Sequence, residues 1–182
     1  GEKQHPMIGD TPMLRETLAR MADTGVKVLD AGVFRLRKGM DIPGLEPVFA
    51  TAAKLAATHL VVNGDEPNEA VLAELFAGLC DLGRAYALTV NLEATPWTGV
   101  RTLTQAARIV RSVNRPNGRV LVDTIHVDRS GGSAAEIAAL PPALIAYAQI
   151  CDGRGPRPAD FETMIFQARN ERAFPGEGNL DL

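Results

Sequence analysis

The stretch RVLVDTIHVDRSGG, residues 119–132, decides how this chain is read. Val120 and Val122 alternate with Arg119 and Leu121, so 119–123 reads as a strand. That strand ends in Asp123, and His126 follows three residues on. An aspartate at the end of a strand built for burial is costly unless a cation compensates it. Strict alternation would aim His126 away from Asp123. The turn Ser130-Gly131-Gly132 is expected to let the chain leave strand geometry and bring the imidazole back.

The flanking strands repeat the pattern. In LTVNLEA (88–94), Glu93 is in phase with Thr89 and Asn91, while Val90 and Leu92 face the other way. In IAYAQICD (145–152), Gln149 is in phase with Tyr147, with Ala146 and Ala148 opposite. Three successive strands thus place an oxygen-bearing side chain on one face at one end. The spacing is 30 residues from Glu93 to Asp123 and 26 from Asp123 to Gln149. Two carboxylates, an amide and a histidine suit a divalent cation. An oxygen-rich set favours Mg or Mn, and an added imidazole admits Co, Zn or Fe. Singly, each residue has an ordinary reading: Glu93 as a solvated strand-end carboxylate, Asp123 as a turn cap, Gln149 as a structural amide, His126 as a loop histidine. Their coincidence on consecutive strand ends favours a site. Tyr147 reads as core, and Trp97 as either a lid contact or loop packing.

Helices fall between the strands. Residues 11–24 form one, with Thr11 as N-cap, Pro12 at the first position and Gly25 as the stop. Further helices are expected over 43–58, 67–87, 102–114, 133–140 and 159–170. Ser133 and Glu136 have the spacing of a capping box. Strands are expected over 26–36, 59–65, 88–97, 119–123 and 144–153. Alternating strands and helices imply a parallel sheet with right-handed crossovers. An open doubly wound sheet and a closed (β/α)8 TIM barrel both fit. No G-x-G-x-x-G follows the first strand, which argues against a dinucleotide fold. In a parallel barrel the C-terminal strand ends form the active mouth.

The composition is that of one globular domain: 182 residues, 46% hydrophobic, 23% charged. A net charge of -3 with scattered arginines argues against nucleic acid as a partner. No apolar run is long enough to span a membrane. Two cysteines without framework spacing, Cys80 and Cys151, point to reduced thiols and a cytoplasmic location.

The motifs NLEATPW, LVDTIH, AQICDG and FPGEGNLDL together resemble the sugar phosphate isomerase/epimerase group of xylose isomerase-like TIM barrels. This is the superfamily that also holds the apurinic-site endonucleases. The resemblance covers nearly the whole chain and implies a single partial barrel domain over 1–182. It implies Glu93 and Asp123 as the first two metal ligands, with Gln149 where many members have histidine. A subset resembling 3-dehydroshikimate dehydratases has glutamine there. It further implies His126 on substrate oxygen or metal, Arg154 and Arg172 toward the substrate, and an acidic residue at Asp152. The ion would be Mn, Mg, Co or Zn.

Against a barrel of eight strands and about 250 residues, the first two strands and the last are missing. With the last goes the family's fourth ligand, a glutamate. Glu177, in the P-G-E-G turn, does not replace it. The parent polypeptide is therefore expected to be longer, or strands to come from another copy, as in a homo-oligomer.

The function expected is a metal-dependent isomerase or epimerase of a small sugar or polyol-like ketone. It would work through an enediolate, with Glu93 and His126 in the chemistry. The alternatives are a 3-dehydroshikimate dehydratase-like lyase and a truncated, non-catalytic barrel. An endonuclease would need more histidines and a basic groove.

Overall fold

A computed structural model describes residues 6–182. Five strands form one sheet in the order β1-β2-β3-β4-β5, every pairing parallel. They are β1 (Asp30–Leu36), β2 (His59–Gly64), β3 (Thr89–Glu93), β4 (Gly118–Asp123) and β5 (Ile145–Gln149). Between them run α2 (Glu46–Lys54), α3 (Glu69–Arg84) and α4 (Leu103–Val113). Two short helices, α5 (Thr124–Arg129) and α6 (Ala134–Ala138), separate β4 from β5. The chain is flanked by α1 (Pro12–Thr24) and α7 (Phe161–Asn170).

The helix signals act as their chemistry requires. Thr11 Oγ1 accepts from the Leu14 amide at 3.1 Å, and Gly25 ends α1 in the left-handed region at φ 73°. Asn68, Thr102 and Asp160 cap α3, α4 and α7 in the same manner. The capping box of α6 is only half formed. Ser133 Oγ accepts from the Glu136 amide at 3.3 Å, but the Glu136 carboxylate turns instead to the Thr104 amide at the start of α4, 3.0 Å away.

Alternation along each strand sorts its residues. Leu60, Val62, Val90, Leu92 and Val120 are fully buried against Phe49, Phe76, Leu79 and Ile109 of the helices. The opposite phase points inward and is largely polar, with His59, Asn63, Thr89, Asn91, Glu93 and Asp123 beside Val61 and Leu121. Tyr147 on β5 donates its hydroxyl to Asp30 Oδ2 on β1 at 2.8 Å, and its ring stacks on His59 of β2 at 4.6 Å. β5 and β1 are not neighbours in the sheet, so these contacts require it to be curled. The fold is thus a partial (β/α)8 barrel whose five C-terminal strand ends meet at one mouth.

Three expected strands are trimmed, among them β5, which ends at Gln149 and not Gly153. β1 begins at Asp30, not Val26, because its first partner in register is His59, where β2 itself begins. β3 ends at Glu93, not Trp97, because the chain turns back there. Thr95 donates to Val100 O at 2.9 Å, and Val100 to Gly64 O at 3.1 Å, which ties the loop over the end of β2.

Candidate metal centre

Glu93 ends β3 and Asp123 ends β4, and both are buried. Asp123 is also the N-cap of α5, its Oδ1 accepting from the Ile125 amide at 3.1 Å. This corrects how His126 reaches the site. The chain enters a helix directly after Asp123, and three residues along a helix return to the same face. His126 is therefore brought back by α5, and the Ser-Gly-Gly turn only closes that helix. His126 Nε2 lies 3.8 Å from Asp123 Oδ2 and 4.0 Å from Glu93 Oε1. One donor atom from each of the three lies within 4.8 Å of the others.

The surroundings set the charge states. Burial pushes the Glu93 carboxyl up to about 7, assisted by the Asp123 charge and opposed by a hydrogen bond from Asn63. That bond runs from Asn63 Nδ2 to Glu93 Oε2 at 2.8 Å, leaving Oε1 turned toward His126. Burial pulls the His126 imidazole below its usual value, with Asp123 opposing the shift. The ring is therefore neutral at pH 7, and its closeness to the carboxylates is not a salt bridge. Its Nδ1 has no hydrogen-bond partner among the described residues, and the Trp97 ring meets it edge-on at 5.2 Å. Arg172 Nη1 lies 2.8 Å from Asp123 Oδ2 and supplies positive charge there. Two buried carboxylates with a neutral imidazole beside them form a donor set that fits a divalent cation.

The other expected site residues separate. Gln149 is half-buried at the end of β5, in register with Asp123. Arg154 does not join the site. Its guanidinium is exposed and pairs with Glu177, 3.7 Å away on the surface. Asp152 faces the following loop, where its carboxylate accepts from the amides of Gly153, Gly176, Gly178 and Leu180 at 2.8–3.1 Å. The FPGEGNL segment is thus moulded around one aspartate.

Two residues escaped the sequence reading. Asn63 sits in register with Glu93 at the end of β2, so the strand-end argument applied to Glu93 reaches it too. Arg35, near the end of β1, is in register with Asn63. Both line the same cavity of about 150 Å³ as Glu93, Trp97, His126 and Arg172.

The profile of the xylose isomerase-like TIM barrel family matches residues 13–182. The chain belongs to this family. A 3-dehydroshikimate dehydratase of Pseudomonas aeruginosa is 26% identical over 181 residues, covering 92% of this chain and 28% of that protein. A solved fusion of a xylose isomerase-like TIM barrel with a 4-hydroxyphenylpyruvate dioxygenase superimposes with a TM-score of 0.81 at 23% identity. It too is covered over 28% of its length, and this chain over 92%. The IolI protein, solved with a zinc atom bound, gives a TM-score of 0.74 at 20% identity, with 93% of this chain and 68% of that one covered. The chain therefore spans somewhat over a quarter of the first two proteins.

Proposed function

We propose that this barrel belongs to a divalent-metal-dependent enzyme that removes a proton beside a carbonyl of a small polyhydroxylated ketone and isomerises or epimerises it. The observation that carries the reading is the buried cluster of Glu93, Asp123 and His126 at adjoining strand ends. Glu93 and Asp123 would hold the ion, with Gln149 one strand over and in register. When bound, the metal polarises the substrate carbonyl and steadies the charge that develops on it. The remaining work falls to the chain. His126 is kept neutral by burial, so its imidazole can accept a proton and return it to the other carbon or face. Asn63 fixes the Glu93 carboxylate through Oε2. Arg172 pairs with Asp123 and keeps its carboxylate in place, and Trp97 walls the imidazole from water.

A second reading is a lyase of the 3-dehydroshikimate dehydratase kind. Gln149 and the Pseudomonas relative favour it. Proton removal is the same, but a hydroxyl leaves and a ring becomes aromatic. One experiment separates the two. The Mn-loaded protein is incubated in D2O with a ketose panel and, separately, with 3-dehydroshikimate. Deuterium entering the carbon next to the carbonyl of a ketose supports the isomerase. A rising aromatic absorbance supports the lyase. Absence of both, with metal bound, overturns the proposal.

A further inference from the structure

We propose that Arg35 anchors an anionic group of the substrate, so that the protein acts on an acid or a phosphate ester and not on a neutral sugar. The inference rests on the proposed function and narrows its substrate. It starts from register. Arg35 is level with Asn63, and Asn63 with Glu93, on three adjoining strands. Arg35 therefore faces the same mouth as the carboxylates and lines their cavity.

The charge of Arg35 is poorly committed. Its ion-pair partner among the described residues is Asp65, at 3.6 Å and without a hydrogen bond. Asp65 Oδ2 is already taken by Arg37, whose Nη2 and Nε donate to it at 3.0 and 3.3 Å. One carboxylate thus serves two guanidinium groups, and Arg37 has the better share.

The space beside Arg35 has the matching shape. Beside the cavity at Glu93 lies a second cleft of about 470 Å³. Arg35 and Trp97 line both. The second cleft adds Arg37 and Arg101 with Asp65 as its one acid. Arg101 forms no ion pair among the described residues. It is held by a bond from its Nε to Thr98 O at 3.1 Å and by the Phe161 ring beneath it at 5.6 Å. The cavity at Glu93 sets that one carboxylate among Arg35, Arg169 and Arg172, and the second cleft carries three guanidinium groups to one carboxylate, so positive charge prevails along both. The small cavity holds little more than the reacting carbons, so the rest of the substrate extends past Arg35. A neutral sugar lying there would shield Arg35 from water and offer it no counter-charge. A carboxylate or phosphate offers the two-pronged, charge-assisted bonds that guanidinium favours.

The test uses two matched pairs of probes on the Mn-loaded protein: catechol with 3,4-dihydroxybenzoate, and fructose with fructose 6-phosphate. Affinities are read by calorimetry in the wild type, Arg35→Gln, Arg35→Lys and Glu93→Gln. In one pair the charged member binds at least tenfold more tightly than its neutral partner, and the pair that shows it identifies carboxylate or phosphate. Arg35→Gln erases that ratio, and Arg35→Lys keeps part of it. Glu93→Gln weakens both members alike and leaves the ratio. Equal affinity within both pairs, no binding by any probe, or a ratio that survives Arg35→Gln overturns the assignment. Failure of the metal reading looks different: the charge preference persists and responds to Arg35, but no affinity depends on Mn.

Discussion

His126 and Asn63 make separable demands on the site. His126 is drawn here as the group that moves a proton, so His126→Ala is expected to abolish deuterium exchange into substrate while metal content stays within about twofold. A loss of metal together with activity would instead make the imidazole a ligand. Elemental analysis of the purified variant beside the exchange assay decides between the two. Among the described residues the Asn63 side chain hydrogen-bonds Glu93 and Thr95, and its role is to fix a ligand. Asn63→Ala removes the bond to Glu93 Oε2, and residues that orient metal ligands typically carry about 10- to 100-fold in metal affinity. A chelator competition titration is expected to show a loss in that range. An unchanged affinity would mean Glu93 is held by packing alone. These two residues differ in how readable they were. His126 announced itself by following Asp123 closely at a strand end, although the route expected for it, the Ser-Gly-Gly turn, was not the one taken. Asn63 lay inside a short apolar run, and nothing local set it apart from a turn residue. Only its 30-residue interval to Glu93, the same as that from Glu93 to Asp123, could have marked it.

At the scale of elements, the segment after β5 is shaped by one carboxylate. Asp152 is buried and accepts from four backbone amides, three of them in the P-G-E-G loop and its exit. The amide bonds, led by that from Leu180, hold its carboxyl below the usual aspartate range. The sign follows from that. A depressed folded value gives a stabilisation that is fully present above the unfolded aspartate value of about 3.9. It is lost as pH falls through the lower folded value, when the protonated carboxyl can no longer serve every amide. Asp152→Asn is therefore expected to flatten the fall of Tm below about pH 4. It is also expected to speed amide exchange at Gly176, Gly178 and Leu180 while leaving β3 and β4 protected. An unchanged acid limb would show that other carboxylates dominate it. This arrangement was half legible. The motif stood out in the sequence, and Asp152 was marked as acidic by resemblance. That one wraps around the other is a contact over more than 20 residues, which no local pattern reveals. The same limit explains Arg35, Arg37 and Arg101. They look scattered along the chain, and parallel register collects them at one mouth. The strand positions, by contrast, were plain, because alternation of period two and its spacing survive in sequence whatever the tertiary contacts, while the choice between an open sheet and a barrel needed the family motifs.

At the scale of the whole molecule, the curled sheet has two edges, and both are apolar. Beside β1, Val26 and Leu29 are more than half exposed, and beyond β5 so are Ile150 and Phe166. Strand edges with unpaired amides and apolar neighbours are templates for association. Tyr147 and Asp30 already reach toward each other across the interior, so the curvature that would bring the two edges round is set by these five strands. The 182-residue span on its own is accordingly expected to self-associate as its concentration rises, and to do so through these edges. Light scattering coupled to size exclusion would show mass growing with loading for the wild type. Ile150→Lys with Phe166→Glu replaces two exposed apolar side chains that follow β5 with charges, and together they should shift the span toward monomer. Because both side chains are exposed, their replacement is expected to change stability by only about 0.5 kcal/mol. Metal binding gives the control. The cluster of Glu93, Asp123 and His126 lies on the inner face of β3 and β4, away from either edge, so the charged variant should bind Mn as the wild type does. If the span is monomeric at every concentration, the edges are already satisfied by a different packing of the exposed loops. If instead the charged variant loses Mn as well, β5 helps to form the metal centre, and the amide of Gln149, level with Asp123, is the group through which it would act.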